Sequence, residues 1–180
     1  MSGNKYDIIL ADPAWNYADK AKAGNRGAGC HYETMTDEAI KALPVWKIAA
    51  PNSALFLWAT APRLPLAIDV MAAWGFAYKT VAFVWEKVTI AGAPMFGLGH
   101  WTRANAEFVL LGTHGKPKRQ NKGVSQIVRA RRRKHSEKPE IVHQKIVQLL
   151  GDLPRCELFA RRPVDGWDVW GNEVDNDFEL

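Results

Sequence analysis

The sequence predicts an α/β fold, built as an open, mostly parallel sheet with helices on both faces. Apolar runs of strand length, such as "SALFLWA" at 53–59, alternate with stretches of helical periodicity. The connections between them are mostly short. Pro44, Gly75, Pro139 and Gly151 fall where such helices would start or stop.

The elements follow in order. Residues 6–11 read as a strand, and 12–35, rich in Gly and Ala, as a long loop. A short helix is expected after Thr36, with Asp37 and Glu38 in its first turn and Pro44 beyond its end. The near-continuous apolar run at 53–59 suits a strand buried on both faces. Residues 62–74 read as a helix, then "FAYKTVAFVWEK" and "AEFVLLG" as strands around a Gly-rich loop at 91–99. A helix over 139–150 presents Val142, Ile146 and Leu149/Leu150 on one face, and "CELFA" and "WDVWG" close the series as strands.

Composition bounds the function. With 180 residues, 47% hydrophobic and 24% charged, the chain reads as one ordinary globular domain over 1–180. No charge-free apolar stretch is long enough to span a bilayer, and residues 1–6 are too polar for a signal peptide. Cys30 and Cys156, far apart, predict a reducing cytoplasmic setting without disulfides. His31, His100, His114, His135 and His143 show no metal-ligand spacing, so no metal is expected. Ten of the 24 Lys/Arg but only one of the 19 Asp/Glu fall within 116–138, leaving 14 basic and 18 acidic residues elsewhere. That basic tract is a solvated loop, a footprint for a polyanion, or both.

In open parallel sheets, ligands gather at the carboxyl ends of the strands, where strand order reverses. Asp12 follows the first strand, Arg161 follows "ELFA", and Asn172 follows "WDVWG". The segment Asp12-Pro13-Ala14-Trp15 therefore places an acceptor-only carboxylate, a stiff proline and a flat ring at one strand exit. For a planar base entering there, Trp15 or Tyr17 could stack on its face. Asp12 and the Pro13 carbonyl could accept from the two N–H groups of an exocyclic amine. They would draw its lone pair into position for attack on an electrophilic methyl. Asp12 would act as orienter first, since the alkylated amine sheds its proton afterwards. The competing reading makes Asp-Pro a turn cap and Trp15 a core residue.

Further segments carry a resemblance. "YETMTDEAI" (32–40), "ALFLWAT" (54–60), "VWEK" (84–87), "GHWTRANAEFVLLGTHG" (99–115), "HSEKPE" (135–140), "ELFAR" (157–161) and "WGNEV" (170–174) join Asp12-Pro13-Ala14-Trp15 in order and spacing. Together they resemble the MT-A70-like family of adenine methyltransferases over essentially the whole chain, including its bacterial and phage branch. The resemblance implies a Rossmann-like methyltransferase fold in permuted order, with the catalytic motif before the cofactor motifs. It implies S-adenosyl-L-methionine as methyl donor and catalytic roles for Asp12, Pro13 and Trp15. Asp12 would also touch the donor, Lys138 would hold its carboxylate, Phe159 and Arg161 would flank it, and Asn172 and Glu173 would contact its ribose and adenine. Two positions depart from the family pattern: Ala14 stands where a second proline is usual, and Glu173 where an uncharged amide is common.

Without the resemblance, Asn172 after Gly171 is equally a turn residue, and Lys138-Pro139 merely a helix start. Tyr32 could gate or stack on the target base, or pack as a loop anchor. Arg131, Arg132, Arg133 and Lys134 are the candidates for phosphate contact, and a target within a duplex would have to be flipped out. The expected activity is methylation of the adenine 6-amino group in DNA. Its alternatives are the same reaction on RNA and a non-catalytic nucleic-acid-binding subunit. A chain this short has little surface with which to recognise DNA alone, and a homodimer would supply more.

Overall fold

The computed structural model describes residues 5–15, 35–97, 99, 101–132 and 137–180. Seven strands form one sheet: β1 (Tyr6–Ala11), β2 (Ala49–Ala59), β3 (Ala77–Val88), β4 (Ala106–His114), β5 (Ile127–Arg131), β6 (Arg155–Leu158) and β7 (Asp168–Trp170). Their spatial order is β5-β3-β4-β2-β1-β6-β7, with only β4 antiparallel to its neighbours. Strand order reverses between β1 and β6, which opens a crevice at their carboxyl ends.

Helices α1 (Asp37–Ala42), α2 (Leu64–Ala73) and α3 (Ile141–Leu150) cover the sheet. Side chains alternate along each strand, so the two faces carry separate cores. On one face, Ile9, Leu55 and Leu57 pack with Ile40 of α1 and with Ala67, Val70 and Met71 of α2. On the other, Ile8, Leu10 and Phe56 pack with Val142, Ile146 and Leu150 of α3. The Rossmann-like α/β arrangement expected from the sequence is thus the one formed. The Thr36 side chain caps α1 by accepting from the Ala39 amide at 3.1 Å. Gly151 ends α3 at φ 94°, a conformation that favours glycine.

Two boundaries moved. β2 begins at Ala49, because Pro51 lies in an irregular stretch between Tyr6↔Ala49 and Ile8↔Ala54, where its missing N–H costs no ladder bond. β5 lies inside the basic tract read as a loop. It pairs with the outer edge of β3 and buries Val128, while its arginines face outward. An edge strand shows one buried side chain among charged ones, so its apolar signal is faint.

Cys156 is fully buried in β6, and burial, aided by Asp168 and Glu157, holds its thiol well above the ordinary range. Among the described residues, no helix is long and apolar enough to cross a membrane.

Candidate active site

The crevice edge collects most of the predicted residues. Asp12 follows β1 and donates its own amide to the Leu158 carbonyl at 3.4 Å. The Trp15 amide donates to the Pro13 carbonyl at 2.8 Å, which fixes that oxygen in a tight turn. Asp12 borders two adjoining hollows. One is lined by Ala14, Met35, Phe159, Arg161, Trp170, Asn172 and Glu173. The other is lined by Lys138, His143, Glu157, Phe159 and Arg161. The structure thereby brings Asp12, Lys138, Phe159, Arg161, Asn172 and Glu173 to one place.

Lys138 sits between two carboxylates, 3.0 Å from Asp12 and 3.3 Å from Glu107, and Glu107 in turn meets Lys87 at 2.5 Å. Acid and base alternate along this row, and all four side chains are largely buried. Both ammonium groups lie near tryptophan rings: Lys138 Nζ is 5.4 Å from the Trp58 ring centroid and Lys87 Nζ 5.1 Å from that of Trp85. Those two rings meet edge to face. Burial raises the Asp12 carboxyl above its usual range; Lys138 pulls it back in part, and Glu107 pushes it up further. Burial opposes charge on Lys138 as well, but Asp12 and Glu107 together leave its ammonium held above the ordinary lysine range. Glu107 is also penalised by burial, yet Lys138 and Lys87 hold it below the usual carboxylate range. Asp12 and Glu107 are thus tuned in opposite senses around one cation.

Phe159 adopts φ 62°, left-handed backbone that costs a bulky residue roughly 1–2 kcal/mol. That strained turn at the end of β6 places its ring edge-on to Trp170 at 5.6 Å. Arg161 Nε lies 3.8 Å from Glu173 Oε1, joining the exits of β6 and β7. The Ala160 amide donates to the Trp170 carbonyl at 3.0 Å. A Cβ on Gly171 would come within 2.8 Å of the Ala160 amide nitrogen and nearer still to its carbonyl oxygen. Gly171→Ala therefore forces these exits apart, and thermal denaturation should show a loss of about 1–3 kcal/mol.

Trp15 departs from expectation. Its ring is 4% exposed, packs in the α1/α2 core, and donates its Nε1–H to the Trp58 carbonyl at 3.0 Å. It braces the turn carrying Asp12 and has no open face for a base, because the core packing and the bond to Trp58 hold its ring inward. Tyr17, Tyr32, Arg133 and Lys134 lie outside the described residues. Arg131 and Arg132 are exposed at the end of β5, line neither of the Asp12 hollows, and border a separate depression with Ile90 and Pro139.

Sequence reasoning missed Glu107, Lys87 and the His143–Glu157 pair. A charge opening the apolar run "AEFVLLG" and another inside "CEL" were the available signals. His143 Nε2 lies 2.8 Å from Glu157 Oε2, and buried His143 Nδ1 has no hydrogen-bond partner among the described residues.

The MT-A70 family pattern matches residues 6–173. The chain belongs to the MT-A70 family. Its relatives include the Type II methyltransferase M.MunI of Mycoplasma sp, 36% identical over 98% of this chain and 81% of the relative. The zebrafish (Danio rerio) N(6)-adenosine-methyltransferase subunit METTL3 is 27% identical over 95% of this chain and 28% of its own length. The human (Homo sapiens) N(6)-adenine-specific methyltransferase METTL4 is 29% identical over 94% of this chain and 37% of its own length. The chain thus spans most of the Mycoplasma relative but a third or so of the two animal ones. As an MT-A70 member, it is an adenine-specific methyltransferase.

Proposed function

We propose that this chain transfers the methyl group of S-adenosyl-L-methionine to the 6-amino nitrogen of adenine in DNA, in a reducing cytoplasm. The observation that carries the reading is Asp12, a partly buried carboxylate at the strand-order reversal that borders both hollows.

The lining fits the donor's chemistry. Lys138 offers a cation for its carboxylate, and Asp12 and Glu157 offer acceptors for its ammonium. Phe159 and Trp170 supply apolar walls, and Glu173 accepts from ribose hydroxyls. When bound, the donor supplies an electrophilic methyl on a sulfonium.

In this reading the chain's own residues orient the acceptor. The carboxylate of Asp12 and the carbonyl of Pro13 accept from the two N–H groups of the amine, and positive charge growing on nitrogen is stabilised by Asp12. The amine so held would accept the methyl group on its lone pair and release one proton to water. Lys138 opposes the protonation that burial favours at Asp12, and Glu107, itself paired with Lys87, helps hold Lys138 in place.

Basic residues of 116–138 would meet the phosphates, and the extent of the match to M.MunI favours DNA over RNA. Tritiated methyl transfer to single- and double-stranded DNA and RNA tests this, with transfer to adenine in DNA expected to dominate. Dominant transfer to RNA would overturn the choice of polymer. A chain that binds nucleic acid but no S-adenosyl-L-methionine would be a non-catalytic subunit instead. Sedimentation reads whether a homodimer forms.

A further inference from the structure

The connection between β3 and β4, residues 89–105, exposes large apolar side chains that a folded chain ordinarily hides. Ile90 is 81% exposed, Phe96 71% and Trp101 99%. Backbone bonds hold the loop in place: Met95 N–H donates to Lys87 O at 2.8 Å, Lys87 N–H to Asn105 O at 2.9 Å, and Gly97 N–H to Ala104 O at 2.9 Å. The Arg131 guanidinium donates to the Ile90 carbonyl at 2.9 Å, tying the loop to β5. Ile90, Arg131, Arg132 and Pro139 line one depression, and Pro139 adjoins Lys138 of the Asp12 site.

Charge decides what such a surface suits. Residues 88–106 and 108–136 contain no Asp or Glu, while Arg103, Arg131 and Arg132 stand exposed among the apolar side chains. The nearby acids are paired: Glu86 meets Arg129 at 2.8 Å, Glu140, which also lines the depression, meets Arg162 at 3.1 Å, and Glu107 lies in the largely buried row. Two copies meeting through this face would oppose Arg103, Arg131 and Arg132 with their like, and Glu140, already paired with Arg162, is the one carboxylate lining the depression among the described residues. A strand of unpaired bases instead offers flat rings to Phe96 and Trp101 and phosphates to the arginines.

We propose that the 89–105 loop and the outer end of β5 form a stacking platform for unpaired bases of a nucleic-acid strand leading to the Asp12 edge. The proposal rests on the nucleic-acid reading above and adds where the strand runs. Lys87 couples the platform to catalysis, since its backbone anchors the loop while its ammonium meets Glu107.

The test is fluorescence anisotropy of the full chain with labelled oligothymidine, which has no adenine for Asp12. The full chain is expected to bind in a salt-dependent manner. Phe96→Ala with Trp101→Ala should weaken binding on the order of tenfold per ring, with the salt slope and cofactor affinity unchanged. Arg131→Gln with Arg132→Gln should flatten the log–log salt slope by about 1.4. Unchanged oligothymidine affinity in the aromatic variant would overturn the proposal. So would a fall in its sedimentation mass with nucleic-acid binding intact, which would make the face a protein interface. If oligothymidine binding behaves as expected but adenine is never methylated, the platform stands and the catalytic reading fails. Adenine methylation without any oligothymidine binding has the reverse meaning.

Discussion

Asp12→Asn should reduce methyl transfer by about 10²–10³-fold or more, measured by tritium incorporation, with the fold retained. The amide keeps the shape but turns N–H donors toward an amine that needs acceptors, and it removes the negative charge that would stabilise the alkylated nitrogen. Stability should hold, because burial already disfavours the ionised carboxylate and Lys138 keeps Glu107 at 3.3 Å. Turnover within a fewfold of the parent, at an unchanged melting temperature, would remove Asp12 from the mechanism. The pH profile sharpens the test. In the proposed mechanism activity needs ionised Asp12, whose carboxyl is raised above 3.8, so the acid limb should lie above the ordinary carboxylate range. Glu107→Gln takes away a charge that raises Asp12 and should move the limb to lower pH. Lys138→Met takes away the charge that lowers it and should move the limb up.

Lys138→Met should also cost about 3–5 kcal/mol of stability at neutral pH, read by denaturant unfolding. It leaves Asp12 and Glu107, both largely shielded from water, with no ammonium between them. The sign follows from Glu107. Its carboxyl is held below 4.5 in the folded chain, chiefly by Lys138 and then Lys87 against the cost of burial. It therefore contributes stability above pH 4.5 that is lost as pH falls through the folded value. Without Lys138 that contribution shrinks, so parent and variant should converge in acid. Adding Glu107→Gln and Asp12→Asn neutralises both orphaned carboxylates and should restore most of the loss. A single variant as stable as the parent at pH 7 would show that the row does not bear on folding.

Much of this site was legible because local signals coincided with topology. Asp12, Arg161 and Asn172 each end an apolar run, and in a parallel sheet run ends converge on one edge. Glu107 begins its run instead. It reaches the same edge only because β4 is antiparallel, a long-range pairing that hydropathy along the chain does not encode. Lys87 was overlooked because its partner was. Trp15 was misplaced for the opposite reason: nearness to Asp12 in sequence suggested nearness to substrate, whereas its ring packs in the core and bonds to the Trp58 carbonyl. β5 hid among arginines because an edge strand buries too little to announce itself.

The fully enclosed sulfur of Cys156, three positions before the ring of Phe159, has a bearing on durability. A catalyst that handles an activated alkyl group risks being alkylated by its own reagent, and a thiolate is the softest target a protein offers. Here the strand favours the protonated form of that atom and walls it off, so turnover need not consume this sulfur.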